Sequence, residues 1–155
     1  AQWQKDLVVL LMSRSPQTLR MTDHLGRLPL HRAAAHISTI PTTVFQKLVT
    51  IHPEGTKVQD TSGRLPLHYA LEFWNGPETS ISAYVNTFAG RAPSFAGNVG
   101  FVENLQALLD SFSGAIYVKD NRGRLPLHLA MLADAPIDAL FMLNRLAPDL
   151  INGTE

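Results

Sequence analysis

A chain of 155 residues is long enough for one unit with a sizeable core, burying roughly 68 to 70% of its unfolded surface at ordinary globular shape. Thirteen basic and thirteen acidic residues cancel, so total charge gives no argument for a nucleic-acid or membrane partner. The absence of cysteine excludes disulfides, cysteine-based zinc sites and thiol catalysis, and favours an intracellular, cytoplasmic setting.

The first predicted element is a helix over residues 3–13, where Leu7, Leu10 and Leu11 fall at i, i+3 and i+4. Its apolar run, residues 7–12, is too short to span a bilayer or to form a signal-peptide core, so no membrane insertion is expected. Residues 14–22 lead into a phrase that organises the rest. D-x-x-G-R-L-P-L-H-x-A begins at Asp23, Asp60 and Asp120, with its glycine at Gly26, Gly63 and Gly123. Asp at the head of a tight turn can hold backbone N–H groups further on, and Gly at the fourth place accepts positive φ. Pro29, Pro66 and Pro126 suit the first position of a helix, where the missing N–H would be unsatisfied anyway. Leu30, Leu67 and Leu127 then share one face with the small Ala33, Ala70 and Ala130.

In repeat one, 21–57, the first helix is predicted over 29–36. Pro41 and Thr42 restart the chain into a second helix with Val44, Phe45, Leu48, Val49 and Ile51, ending before Pro53. Gly26 to Gly63 is 37 residues and Gly63 to Gly123 is 60. The surplus in repeat two, 58–117, is an insertion over 75–100 between a first helix at 66–74 and a second at 101–112, the latter lined by Phe101, Leu105, Leu108 and Phe112. Within the insertion Ile81, Tyr84, Val85 and Phe88 suggest a small amphipathic helix with Ser80 as cap and Gly90 as stop. That stripe either packs on repeats two and three or docks into another protein. Repeat three, 118–147, has a first helix to 133 and a second over 136–146, with Ile137, Leu140 and Leu143 inside. Residues 148–155 would enter a fourth turn as a partial cap, but the expected aspartate and glycine are not in place.

Self-similarity of this kind marks a stack of units, each too small to bury its own apolar face. The phrase resembles the ankyrin-repeat family, whose turn and first helix read G-x-T-P-L-H-x-A with a period of about 33 residues. The resemblance covers nearly the whole chain outside the insertion and implies an all-α solenoid of helix-turn-helix units, one domain over 1–155 with a partial repeat at 1–20. Beginning inside a repeat without a methionine, the chain reads as a fragment or processed product. It departs from the family where Leu28, Leu65 and Leu125 replace threonine. Leucine cannot cap a helix start, a loss of about 0.5 to 2 kcal/mol per helix, so Leu65→Thr is expected to leave the melting temperature unchanged or raise it, with packing of the leucine as the opposing effect.

His31, His68 and His128 invite a metal or catalytic reading. They occupy one place in successive units, about 10 Å apart at helix-packing distance, too far for one zinc ion, and the resemblance implies a structural role in the turn. His24, His36 and His52 share no ligand spacing with them. No nucleophile elbow, phosphate loop or H-E-x-x-H is present, and the glycines over 90–100 are scattered, so neither an enzyme nor a cofactor is expected. Asn152, Gly153 and Thr154 match the three-residue glycosylation pattern weakly.

Arg27, Arg64 and Arg124 each follow the turn glycine, and two readings are open. They either pair with Asp23, Asp60 and Asp120 as an internal ladder or form a row of donors for carboxylates and phosphates. Arg20, Arg32, Lys57, Lys119 and Arg122 could extend the second into a basic edge for an acidic protein surface or RNA. The resemblance further implies partner contacts at the turns and first helices. These are Thr22, His24, Leu25, Arg27, Ala35 and His36, then Gln59, Thr61, Ser62, Arg64, Glu72 and Phe73, then Lys119, Asn121, Arg122, Arg124, Leu132 and Ala133. Leu25, Phe73 and Leu132 are the apolar candidates. The function expected is protein–protein recognition by a scaffold or interaction module, with a structural subunit of a large assembly and an RNA or anionic-surface binder as rivals.

Overall fold

The computed structural model describes residues 12–74 and 99–152, and these are all-helical, with no strand among them. The helices are α1 (Pro29–Ala35), α2 (Thr42–Ile51), α3 (Pro66–Glu72), α4 (Val99–Ser111), α5 (Pro126–Leu132), α6 (Ile137–Leu146) and α7 (Pro148–Asn152). Three short 3-10 turns, Pro16–Arg20, Pro53–Lys57 and Ser113–Tyr117, precede the three aspartate-headed turns. Residues 12–14 are helical, but most of the helix expected over 3–13 lies outside the described residues, as does the helix expected within the insertion. No helix among the described residues is long and apolar enough to cross a membrane.

Each turn closes on itself in the same way. The aspartate N–H donates to the carbonyl four residues on, in Asp23 to Arg27, Asp60 to Arg64 and Asp120 to Arg124, each 3.0 Å, and the glycine N–H returns to the aspartate carbonyl at 2.9 Å. That loop requires positive φ at the glycine, and Gly26, Gly63 and Gly123 adopt +71°, +72° and +75°. Proline then opens α1, α3 and α5 at the first helical position.

The first helices form one row, α1 against α3 and α3 against α5, and the second helices another, α2 against α4 and α4 against α6. The turns also join directly. Thr61 N–H donates to the Leu25 carbonyl at 3.0 Å and Asn121 N–H to the Ser62 carbonyl at 2.9 Å. Between the rows lies the core, with Leu30, Phe45, Leu67, Leu71, Leu105, Leu109 and Leu129 all buried. Ala33, Ala70 and Ala130 let the first helices approach. Asn104, fully buried on α4, donates from Nδ2 to the carbonyls of Ile37 and Ile40 at 3.2 and 3.4 Å, tying α4 to the connection between α1 and α2.

Most boundaries agree with the sequence reading to within one residue, and the larger differences are at α3, α4 and the last residues. α3 stops at Glu72, two residues early, and α4 starts at Val99, so Gly100 belongs to the helix and not to the insertion. Residues 148–152 form α7 and do not enter a fourth turn. α7 takes the place held by the 3-10 turns in the preceding units.

The leucines that replace threonine are core residues. Leu28 and Leu65 are 2% and 1% exposed, so the expected gain from a threonine cap is corrected: the side chain fills space that a hydroxyl would leave partly empty and unpaired. Leu65→Thr is accordingly expected to lower the unfolding free energy by about 1 to 3 kcal/mol, measured by urea denaturation. Leu125→Thr, at a half-buried position, should cost less.

Candidate functional site

The histidine of the phrase is a two-sided fastener. His31 Nδ1 accepts the Leu28 N–H at 3.0 Å, capping the start of its own helix. This leaves the proton on Nε2, which faces the carbonyls of Val58 and Arg64 in the next unit at 3.0 and 3.2 Å. His68 Nδ1 accepts the Leu65 N–H at 3.0 Å, and its ring faces the Val118 and Arg124 carbonyls of repeat three. His31, engaged at both nitrogens, has no lone pair left for a metal ion. Among the described residues no three His, Cys, Asp or Glu side chains converge as metal ligands. Burial lowers the pKa of both rings below 6.5, since the charged form would lose its hydration. His128 Nδ1 caps Leu125 in the same manner at 3.0 Å, but its ring is exposed.

The arginines take the internal arrangement. Asp23 Oδ1 accepts the backbone N–H groups of Leu25 and Arg27 at 2.9 and 3.0 Å, while Oδ2 accepts Arg27 Nε at 2.9 Å and Arg32 Nη2 at 3.3 Å. Asp120 repeats this with Arg122 and Arg124 backbone N–H groups at 2.9 Å and Arg124 Nε at 2.9 Å. Repeat two departs from it. Tyr69 Oη donates to Asp60 Oδ2 at 2.6 Å, so Arg64 turns to Glu72, with Nη2 to Oε1 at 3.2 Å, and lies 5.7 Å from the Tyr69 ring centre. Arg64 Nε also approaches Asp120 at 3.8 Å, and Arg124 Nη1 approaches Glu72 at 4.0 Å, linking units two and three. The side chains of Arg27, Arg64 and Arg124 are only 16%, 16% and 23% exposed, so a row of free donors is not what the turns present.

Burial raises the pKa of Asp23 and Asp120, but the Arg27 and Arg124 backbone and side-chain hydrogen bonds, with those from Leu25 and Arg122, outweigh it and hold both carboxyls below the ordinary range. Tyr69 is pushed up by burial and by its bond to Asp60.

The remaining candidates lie at the surface. Thr22, His24, Gln59, Thr61, Ser62, Lys119, Asn121 and Arg122 are exposed along the turns, and His36 and Phe73 follow α1 and α3. Ala35 and Ala133 are half-buried. Gln59 is held by its bond to the Gly63 carbonyl, 2.8 Å, and Asn121 by its bond to the Thr61 carbonyl, 3.0 Å. Leu25, Phe73 and Leu132 are exposed apolar side chains. Phe73 stacks on Tyr69 at 5.8 Å and 17°, and Tyr69 meets His31 edge-on at 5.8 Å, so this exposed aromatic stands on a buried support. Ile81, Tyr84, Val85 and Phe88 lie outside the described residues.

Sequence reasoning missed the roles of Tyr69 and Glu72, because Tyr69 sits at a free place of the phrase and Glu72 two residues beyond its end. It also missed the 3-10 turns, although Pro16 and Pro53 each stand seven residues before their aspartate, a spacing that signals them. An open groove of mixed lining between α2 and α4, with Val49, Pro53, Val102 and Ala107 beside Gln46 and Asp110, was equally unforeseen.

No protein-family model matches this chain, and no curated protein matches it.

Two measurements test the fasteners. A histidine depressed on folding stabilises fully only above its unfolded pKa, and a depressed aspartate likewise. Stability should therefore fall in two stages on acidification, the first below about pH 6.5 as His31 and His68 are forced to charge, the second below about pH 3.8 as Asp23 and Asp120 do so in reverse and lose theirs. An H31Q/H68Q variant, weaker at pH 7, should lose the first stage and keep the second in denaturant titrations across pH. Tyr69→Phe is expected to cost about 1 kcal/mol, because Arg64 can take the freed Asp60 oxygen as its counterparts do; thermal denaturation checks this, and a loss above about 3 kcal/mol would show that it cannot.

Proposed function

We propose that this chain is an ankyrin-type solenoid whose role is non-enzymatic recognition of another protein through the finger turns and the exposed side of the first helices, as a scaffold inside the cell. The support is a division of labour. Conserving the frame falls to the aspartate, arginine and histidine of each unit, which are engaged with one another and with backbone groups. The turn positions between aspartate and glycine, and the ends of the first helices, differ among the three copies and carry exposed groups such as Leu25, Thr61, Phe73, Arg122 and Leu132.

The observation that carries the reading is Phe73. It is 48% exposed yet held by stacking on Tyr69, beside the Arg64 and Glu72 pair. A rigid aromatic next to an arginine loses little conformational freedom on binding and is the usual make-up of an interface hot spot. Leu132 presents a second apolar group at the end of α5. Binding of an acidic protein or RNA by the arginine edge is less favoured, since those guanidiniums are already paired.

An F73A/L132A variant should unfold within about 0.5 kcal/mol of the unaltered chain while its partner, recovered by affinity purification from cell extract, is retained at least about tenfold less well. Retention should change little between low and high salt. Undiminished capture by the variant, or RNA retained in a steeply salt-dependent way, would overturn the assignment.

A further inference from the structure

The three copies of the phrase are alike in sequence but not in cover. His31 and His68 are fully buried and His128 is exposed. Ala34 and Leu71 are fully buried, yet Met131, at the same place in α5, is 62% exposed. Ala35 and Glu72 are half-buried where Leu132 is 76% exposed. A Cβ added at Gly26 would meet Thr61 of the second turn, and one at Gly63 would meet Asn121 of the third, but at Gly123 it would meet nothing within 4 Å. On the second helices, Phe45 and Leu105 are fully buried, while Leu140 at the matching place in α6 is half-buried and Phe141 beside it is 64% exposed. In repeats one and two these positions are covered, wholly or in part, by the next unit.

We propose that the outer face of α5 and α6 is a docking surface for one further turn-and-helix unit of the same pattern. The face prescribes its occupant in detail, as a continuation of the contacts already made between units. The residue after the occupant's turn aspartate would donate its N–H to the Arg122 carbonyl, as Thr61 does to Leu25 and Asn121 to Ser62. The carbonyls two residues before and four after that aspartate would accept from His128 Nε2, as Val58 and Arg64 do from His31. His128 is prepared for this, because the Leu125 N–H on Nδ1 fixes the proton on the outward nitrogen. The aspartate itself would face Arg124, as Asp120 faces Arg64. Two copies of this face meeting about a two-fold axis would supply neither the carbonyl pair nor the aspartate, so a second copy of the chain is the poorer fit. This goes beyond recognition through the finger turns and rests on other contacts, with the Leu132 side chain alone common to both.

The test extends the intact chain in register. Asn152 stands where Tyr117 stands one unit earlier, so residues 153–155 are replaced by a second copy of residues 118–152. The melting temperature should rise by at least about 5 °C, and the backbone amide of the copied Asn121 should become as protected from hydrogen exchange as that of Asn121 itself. Met131→Asp with Leu132→Asp should leave the 155-residue chain's melting temperature unchanged, both being exposed, and abolish the gain in the extended one. An unchanged melting temperature with freely exchanging added amides would overturn the proposal. So would sedimentation of the 155-residue chain as a dimer that those two substitutions dissociate, which would make a second copy the occupant.

Discussion

Each unit is held by one carboxylate that gathers the backbone of its own turn, and by one imidazole that reaches across to the turn of the next. The aspartate takes two N–H groups on Oδ1 and a side-chain donor on Oδ2, which leaves the loop closed without any help from outside the unit. The histidine works between units, capping its own helix start while giving its other nitrogen to carbonyls that the following aspartate turn has already placed. The order of dependence matters. Only when the second turn is closed do the Val58 and Arg64 carbonyls stand where His31 can meet them, so closure within a unit and adhesion between units are parts of one cooperative event.

The turn and first helix were legible in the sequence because their signals are local. Asp, Gly and Pro at fixed offsets specify a turn and a helix start whatever surrounds them, and α1, α3 and α5 all begin at the predicted proline. What was not legible depends on neighbours. By propensity alone Leu65 reads as a defective cap, but its side chain is only 1% exposed. The histidine was expected in a structural role, but its double use could not be read from one unit, since its acceptors lie in the next. Gly100 suggested a loop and is nevertheless helical, as tertiary context overrides a weak local preference. The arginine edge shows the same limit: the sequence left pairing and free donation open, and distances to Asp23, Glu72 and Asp120 decide between them.

Separating the groups that hold the stack from the groups that face outward has a physical advantage for recognition. Substitution at Phe73 or Leu132 touches no hydrogen bond of the frame, so in the proposed recognition role affinity for a partner can change at little cost in stability. The exceptions are informative. Tyr69 at a free place of the phrase and Glu72 just beyond its end are drawn into the frame, and Phe73 owes its fixed orientation to the first of them.

The Tyr69 hydroxyl on Asp60 has one more effect. By displacing Arg64 from its own aspartate it gives the middle unit a different set of charge partners from its neighbours, with Glu72 and Asp120 engaged in a relay that neither outer unit can reproduce. Units that began as interchangeable copies of one phrase have thereby acquired an address. Shuffling their order along the chain would strand charges at the new junctions, so the succession of repeats, and with it the layout of the outward-facing side chains, is fixed by chemistry at the seams.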